Sequence, residues 1–97
     1  MATYIVLSEW TQQGVANFDQ TVDRYDAGLS QMEALGVSVK DRYWTLGNHD
    51  QVSIIDAPDD ETLAAALLKL SSLGNIRTTT LRAFSADEMR ALIAKAS

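Results

Sequence analysis

Few side chains in this sequence are equipped for chemistry. His49 is the single histidine, and Asp50 follows it. A carboxylate can orient an imidazole and keep it useful as a base near neutral pH. Neighbours on extended backbone point to opposite faces, so the pair forms a dyad only where the chain bends. The plainer roles are a structural His49, and an Asp50 that accepts from amides of the turn after Gly47-Asn48. Trp10, Tyr43 and Trp44 can line an aromatic pocket, Trp10 where a strand becomes a helix and Trp44 near a hairpin. They serve equally as core or interface packing. Arg77, beside Asn75, can meet a carboxylate ligand bidentately or form a surface or intersubunit ion pair. The run Asp59-Asp60-Glu61 invites a divalent ion, but acids at a helix N-terminus account for it, and no metal is expected. The candidate ligand contacts are therefore Trp10, Trp44, His49 and Arg77, with His49 the candidate base.

The remaining inventory excludes more than it offers. Cysteine is absent, which removes disulfides, thiolate nucleophiles and Cys-based metal sites. Ser8 lacks a nucleophile-elbow context, and no glycine-rich phosphate loop occurs, so no cofactor is expected. A net charge of −5 and a pI near 4.5 argue against nucleic acid and anionic membranes as partners. With 97 residues, 46% hydrophobic and 22% charged, the chain reads as one globular domain over 1–97. The start MATYIVLSEW lacks the basic segment of a signal peptide, and a cytoplasmic location is expected.

These residues must be positioned by a small set of elements. Thr3–Glu9 alternates as a strand, with Tyr4, Val6 and Ser8 on one face and Thr3, Ile5 and Leu7 on the other. Both faces carry apolar groups, so the strand should be central. Thr11 is a helix N-cap, and Val15, Phe18, Val22, Tyr25, Leu29 and Met32 predict one continuous helical stripe ending at Gly36. Val37–Leu46 is a second strand, its Lys40 and Arg42 suited to an edge; strict alternation puts Val37, Val39, Asp41 and Tyr43 on one face and Arg42 and Trp44 on the other. Gly47-Asn48 turns the chain into a third strand, Val52–Ala57. A helix after Pro58 buries Leu63, Leu67 and Leu70 and ends near Gly74. Ile76–Phe84 is a fourth strand. A capping box from Ser85 to Glu88 opens a last helix, with Met89, Leu92 and Ile93 facing inward.

The order βαββαβ plus a terminal helix predicts an α+β, ferredoxin-like fold: a four-stranded antiparallel sheet with two helices on one face. The other face should meet water, yet either candidate set of residues includes bulky apolar groups. Such a patch exceeds what soluble monomers usually expose, so a homodimer with sheets face to face is expected.

Three segments taken together carry a resemblance: Tyr4-Ile5-Val6-Leu7 with Trp10-Thr11; Tyr43-Trp44-Thr45-Leu46-Gly47-Asn48-His49-Asp50 leading to Ala57-Pro58-Asp59-Asp60-Glu61; and Leu73-Gly74-Asn75-Ile76-Arg77 running to Ala83-Phe84. Over essentially the whole chain the sequence resembles the GYD domain family, with His49 standing where the motif has its Tyr. The resemblance implies a ferredoxin-like, dimeric α+β barrel. Ligand-binding domains of leucine-responsive-type regulators and cofactor-free dimeric-barrel monooxygenases look similar in architecture; their ligands lie between subunits or between sheet and helices.

Two functions follow as expectations. One is a homo-oligomeric module that binds a small organic molecule or serves as an accessory or regulatory protein. The alternative is a small cofactor-independent enzyme, an isomerase or oxygenase, with His49 as base and an apolar pocket that desolvates its substrate. A structural assembler joined by its strand edges is a third possibility.

Overall fold

A computed structural model describes residues 1–97. Four strands, β1 (Ala2–Trp10), β2 (Ser38–Trp44), β3 (Gln51–Ala57) and β4 (Ile76–Ala83), form one sheet in the order β2-β3-β1-β4. Every neighbouring pair is antiparallel, and β1 is central as its two apolar faces require. The ferredoxin-like architecture expected from the sequence is present.

The register assigns the faces. Tyr4 lies opposite Ile55, Val6 opposite Ser53 and Ser8 opposite Gln51, and these side chains turn toward the helices. Tyr4, Val6, Ile55 and Ala57 of the sheet meet Met32, Leu63 and Ala66 of the helices, with Val37 completing the core. On the reverse face Ile5 pairs with Ile54 and Leu81, Leu7 with Val52, and Val52 with Tyr43. No helix covers that side: Tyr43 is 58% and Leu81 46% exposed.

Three expectations need correction. The first helical stripe is not continuous. Helix α1 (Gln12–Ala16) stops at Asn17, a 3₁₀ turn occupies Phe18–Gln20, and α2 runs over Thr21–Ala34. Asn17 adopts φ −115° and ψ 42°, outside the helical region, and the stripe divides there. Tyr25, Leu29 and Met32 still face the sheet, whereas Val15, Phe18 and Val22 stay exposed. The cause lies at α1, which is latched to the chain entering β4. Thr11 caps α1 at the Gly14 amide (3.1 Å) and donates to the Gly74 carbonyl (2.6 Å), while its own amide bonds the Asn75 carbonyl (3.1 Å). Gln13 adds a bond to the Leu73 carbonyl at 3.0 Å.

The alternation of β2 is also broken. Val39 lies opposite Ile55, but Asp41 lies opposite Ile54, so Lys40 is one residue more than the partner strand provides. This β-bulge puts Val39, Arg42 and Trp44 on the helix side and Tyr43 on the open side.

The last helix, α4 (Ala86–Ala96), has the expected capping box: Ser85 Oγ accepts from the Glu88 amide and Glu88 accepts from the Ser85 amide. It does not fold inward. None of its residues is buried, and Met89 and Ile93 are at least half exposed. The radius of gyration, 14.6 Å, exceeds the roughly 12.5 Å of a compact chain of this length, as a projecting arm requires. The remaining helix, α3 (Asp60–Ser71), starts from the Asp59 N-cap and buries Leu63 and Ala66. No helix is long and apolar enough to cross a membrane.

Candidate functional site

Two concave regions bear on the residues expected to act together, and those residues do not form one group. At the C-terminal end of β1, Glu9 stands between His49 and Arg77. Its carboxylate is 4.0 Å from His49 Nδ1 and 3.8 Å from an Arg77 guanidinium nitrogen. Trp10, next along the strand, lines an open cleft with Asn48, Asp50 and Arg77. The partner carboxylate of His49 is thus Glu9, not Asp50. The Asp50 carboxylate is committed elsewhere, accepting from the Trp10 amide at 2.8 Å; its backbone closes the hairpin turn, the carbonyl accepting from the Thr45 amide at 2.9 Å while the amide donates to the Ser8 carbonyl. The indole N–H of Trp10 and Nδ1 of His49 are both enclosed without a hydrogen-bond partner.

Trp44 is not part of this group. The bulge turns it toward α2, where its indole N–H donates to Thr21 Oγ1 at 3.0 Å. Its ring meets Tyr25 edge to face, centroids 5.8 Å apart. The Arg42 guanidinium covers both rings, at 4.8 Å from Tyr25 and 5.6 Å from Trp44, and pairs with Asp26 at 2.7 Å. Edge strand β2 is thereby fastened to α2.

Behind this clamp lies the second region, a cavity of about 70 Å³ between the sheet and helices α2 and α3. Apolar walls come from Val6, Leu29, Met32, Ile55, Leu67 and Leu70. Its floor is polar: Ser8, Gln51 and Ser53 are only 4–5% exposed. Ser53 shares a short hydrogen bond with the Tyr25 hydroxyl, and Gln51 donates to Thr21 Oγ1 at 3.0 Å. Burial pushes the Tyr25 phenol above its ordinary value, more than the Ser53 bond and the Arg42 charge draw it down, so it stays a neutral donor or acceptor. Buried polar groups left without partners cost roughly 1–3 kcal/mol each, so a polar floor inside a small core needs a reason. Beside the cavity α2 approaches α3 closely at Gly28, where an added Cβ would stand 2.8 Å from Leu70 Cδ2.

Sequence reasoning missed Tyr25, Gln51 and Ser53 as a group. The usable signal was parity: Ser8, Gln51 and Ser53 occupy positions of the alternation that should be apolar. Farther along the same face, the Tyr4 hydroxyl donates to the Asp60 carboxylate, which holds the phenol above its usual range. The acidic run at α3 is capping chemistry: Asp59 accepts from the Thr62 amide at 2.7 Å.

A profile of the GYD domain matches residues 4–93, and the chain belongs to that family. Over 90 residues, 92% of this chain and 95% of the relative, it is 35% identical to a Thermus thermophilus protein named glutamine synthetase and cystathionine beta-lyase binding protein. The solved structure of TTHA0845 from the same organism has 27% identity and a TM-score of 0.57, covering 89% of this chain and 96% of that one. FFRP-DM1, 19% identical, shares the fold at a TM-score of 0.59, with 87% and 100% covered.

Proposed function

We propose that this protein is a homodimeric accessory module that binds a metabolic enzyme and carries an internal pocket for a small organic molecule. The observation that carries the reading is the likeness, over nearly the full length of both chains, to a relative named for binding glutamine synthetase and cystathionine beta-lyase. A binding role needs surface rather than a reaction centre, and exposed apolar surface is available on the open sheet face and along α4. The open face supports self-association, because Ile5, Leu7, Val52 and Ile54 form its contiguous middle. The cavity supports a ligand, being concave, mostly apolar and furnished with a few polar groups. A single domain over 1–97 and a cytoplasmic site of action belong to the same reading.

Of the residues expected to contact a ligand, Trp10 and Arg77 line the end cleft and His49 stands 4.0 Å from its Glu9, while Trp44 reaches the cavity only through Thr21. The alternative with His49 as a catalytic base gains little support, since His49 lies outside the cavity lining and faces Glu9. Surface plasmon resonance with the purified glutamine synthetase and cystathionine β-lyase of the host organism tests the main reading. Saturable binding of at least one enzyme at micromolar concentration is expected. Absence of binding to both up to about 100 μM removes the enzyme-binding role.

A further inference from the structure

The chemistry of the cavity narrows what it can hold. Arg24 is the only charged side chain in its lining, and its guanidinium is already engaged, donating to the Asn17 carbonyl at 2.6 Å and the Gly14 carbonyl at 3.2 Å. No carboxylate lines the space. A cationic ligand would shed its water without a counter-charge, and an anionic one would meet a guanidinium only at the rim, where Arg24 already serves the carbonyls that hold α1 and the 3₁₀ turn, and no charge on the buried floor. The floor, in contrast, is built for uncharged hydrogen bonding. Ser8, Ser53, Gln51 and the Tyr25 hydroxyl converge on it. The Ser53, Tyr25 and Gln51 groups are bonded within the chain, whereas the Ser8 hydroxyl, 5% exposed, makes none of the side-chain hydrogen bonds of the molecule.

Size adds a second limit. At about 10–15 Å³ per water, some 70 Å³ admits about five waters, or the buried part of one small organic molecule whose remainder lies at the open rim. The rim residues Arg24, Leu73 and Asn75 are part-exposed or exposed while the floor is buried, so the ligand enters where the α1 latch meets the start of β4.

We infer that the cavity binds a small uncharged amphiphile, a ring or short chain bearing one hydroxyl or amide, with its polar end on Ser8 and Gln51 and its body against Leu29, Met32, Leu67 and Leu70. This rests on the ligand-pocket part of the reading above and leaves the enzyme-binding part independent. Occupancy gives the Ser8 hydroxyl a hydrogen-bond partner and fills the space between the sheet and helices α2 and α3.

The test is a two-dimensional amide and methyl NMR titration of the full chain with four probes of nearly equal size: phenol, toluene, benzoate and benzylamine. Phenol is expected to saturate with millimolar affinity, its shifts confined to Ser8, Gln51, Ser53 and the Leu67 and Leu70 methyls. Toluene should bind roughly 5- to 10-fold more weakly for want of a hydroxyl, and the two charged probes should leave the lining unshifted. In Ser8→Ala, which keeps the shape, phenol affinity should fall about 5-fold while toluene affinity holds; equal phenol affinity in the variant overturns the placement of the polar end. Should Ser8→Ala lose its native spectrum, the wild-type order of the four probes decides alone. Benzoate or benzylamine binding as tightly as phenol overturns the uncharged class but keeps the pocket. No lining shift from any probe at about 10 mM overturns both, and neither result touches the enzyme-binding measurement.

Discussion

Individual side chains show how little slack this small fold has. Gly14 is the tightest point: a Cβ there would stand 2.0 Å from the Asn75 carbonyl oxygen, a backbone atom that cannot swing aside. Gly14→Ala should therefore destabilise by roughly 2–4 kcal/mol in urea denaturation, despite the better helix propensity of alanine. Gly36→Ala, at φ +84° with open space around it, should cost only about 1–2 kcal/mol. Hydrogen-bonded carboxylates give the fold an acid limit. Asp56 is held below its ordinary 3.8 by bonds from Thr3 and Lys40, Asp59 below 3.8 by Thr62, and Glu88 below 4.5 by Ser85. A carboxyl depressed in the folded state stabilises above its unfolded value and loses that contribution as pH falls through the folded one. Thermal melts should show stability level above about pH 5 and declining below about pH 4, with Asp59→Asn declining less steeply. An unchanged acid slope in that variant would remove Asp59 from the account.

At the scale of elements, what the sequence disclosed depended on whether a local rule met a competing tertiary contact. Strand β1, the acidic start of α3, the Ser85 cap and the glycine stops at Gly36 and Gly74 were legible because each is decided within a few residues. The division of the first helix at Asn17 was not, since the latch joining Thr11 and Gln13 to residues 73–75 lies some sixty positions away. Lys40 was illegible for a related reason: nothing in β2 marks which residue its partner will leave unpaired. The polar cavity floor was visible only as misplaced polarity, while the gathering of Trp10, His49 and Arg77 near Glu9 depended on strand pairing. Helix α4 carries the most direct prediction at this scale. Because it buries no residue against its own chain, removing residues 85–97 should leave the sheet and the other helices folded, reduce the helical circular dichroism only by the share of α4 itself, and lower self-association in sedimentation velocity.

For the molecule as a whole, two apolar surfaces lie on one small, acidic body: the open sheet face and the projecting arm. Burying them needs another surface, and charge of one sign keeps copies apart until the apolar match is close. Ile54→Asp places a charge at the centre of the open face without touching the cavity lining. It should shift the protein to a 10.6 kDa species in sedimentation equilibrium while its fold persists. A wild-type chain that sediments as a monomer at micromolar concentration would remove the self-association reading.

The spare residue in β2 also governs how this sheet can grow. Because Lys40 interrupts the free margin of β2 and carries a charge paired with Asp56 at 3.0 Å, an extended strand from elsewhere finds no straight template there. Deleting Lys40 keeps Val39 and Trp44 in their present orientation while smoothing that margin. The shortened protein should fold, yet scatter light in a concentration-dependent way that the parent does not. One inserted lysine thus steers contacts away from lateral, fibre-like addition and toward the broad surfaces of the layer.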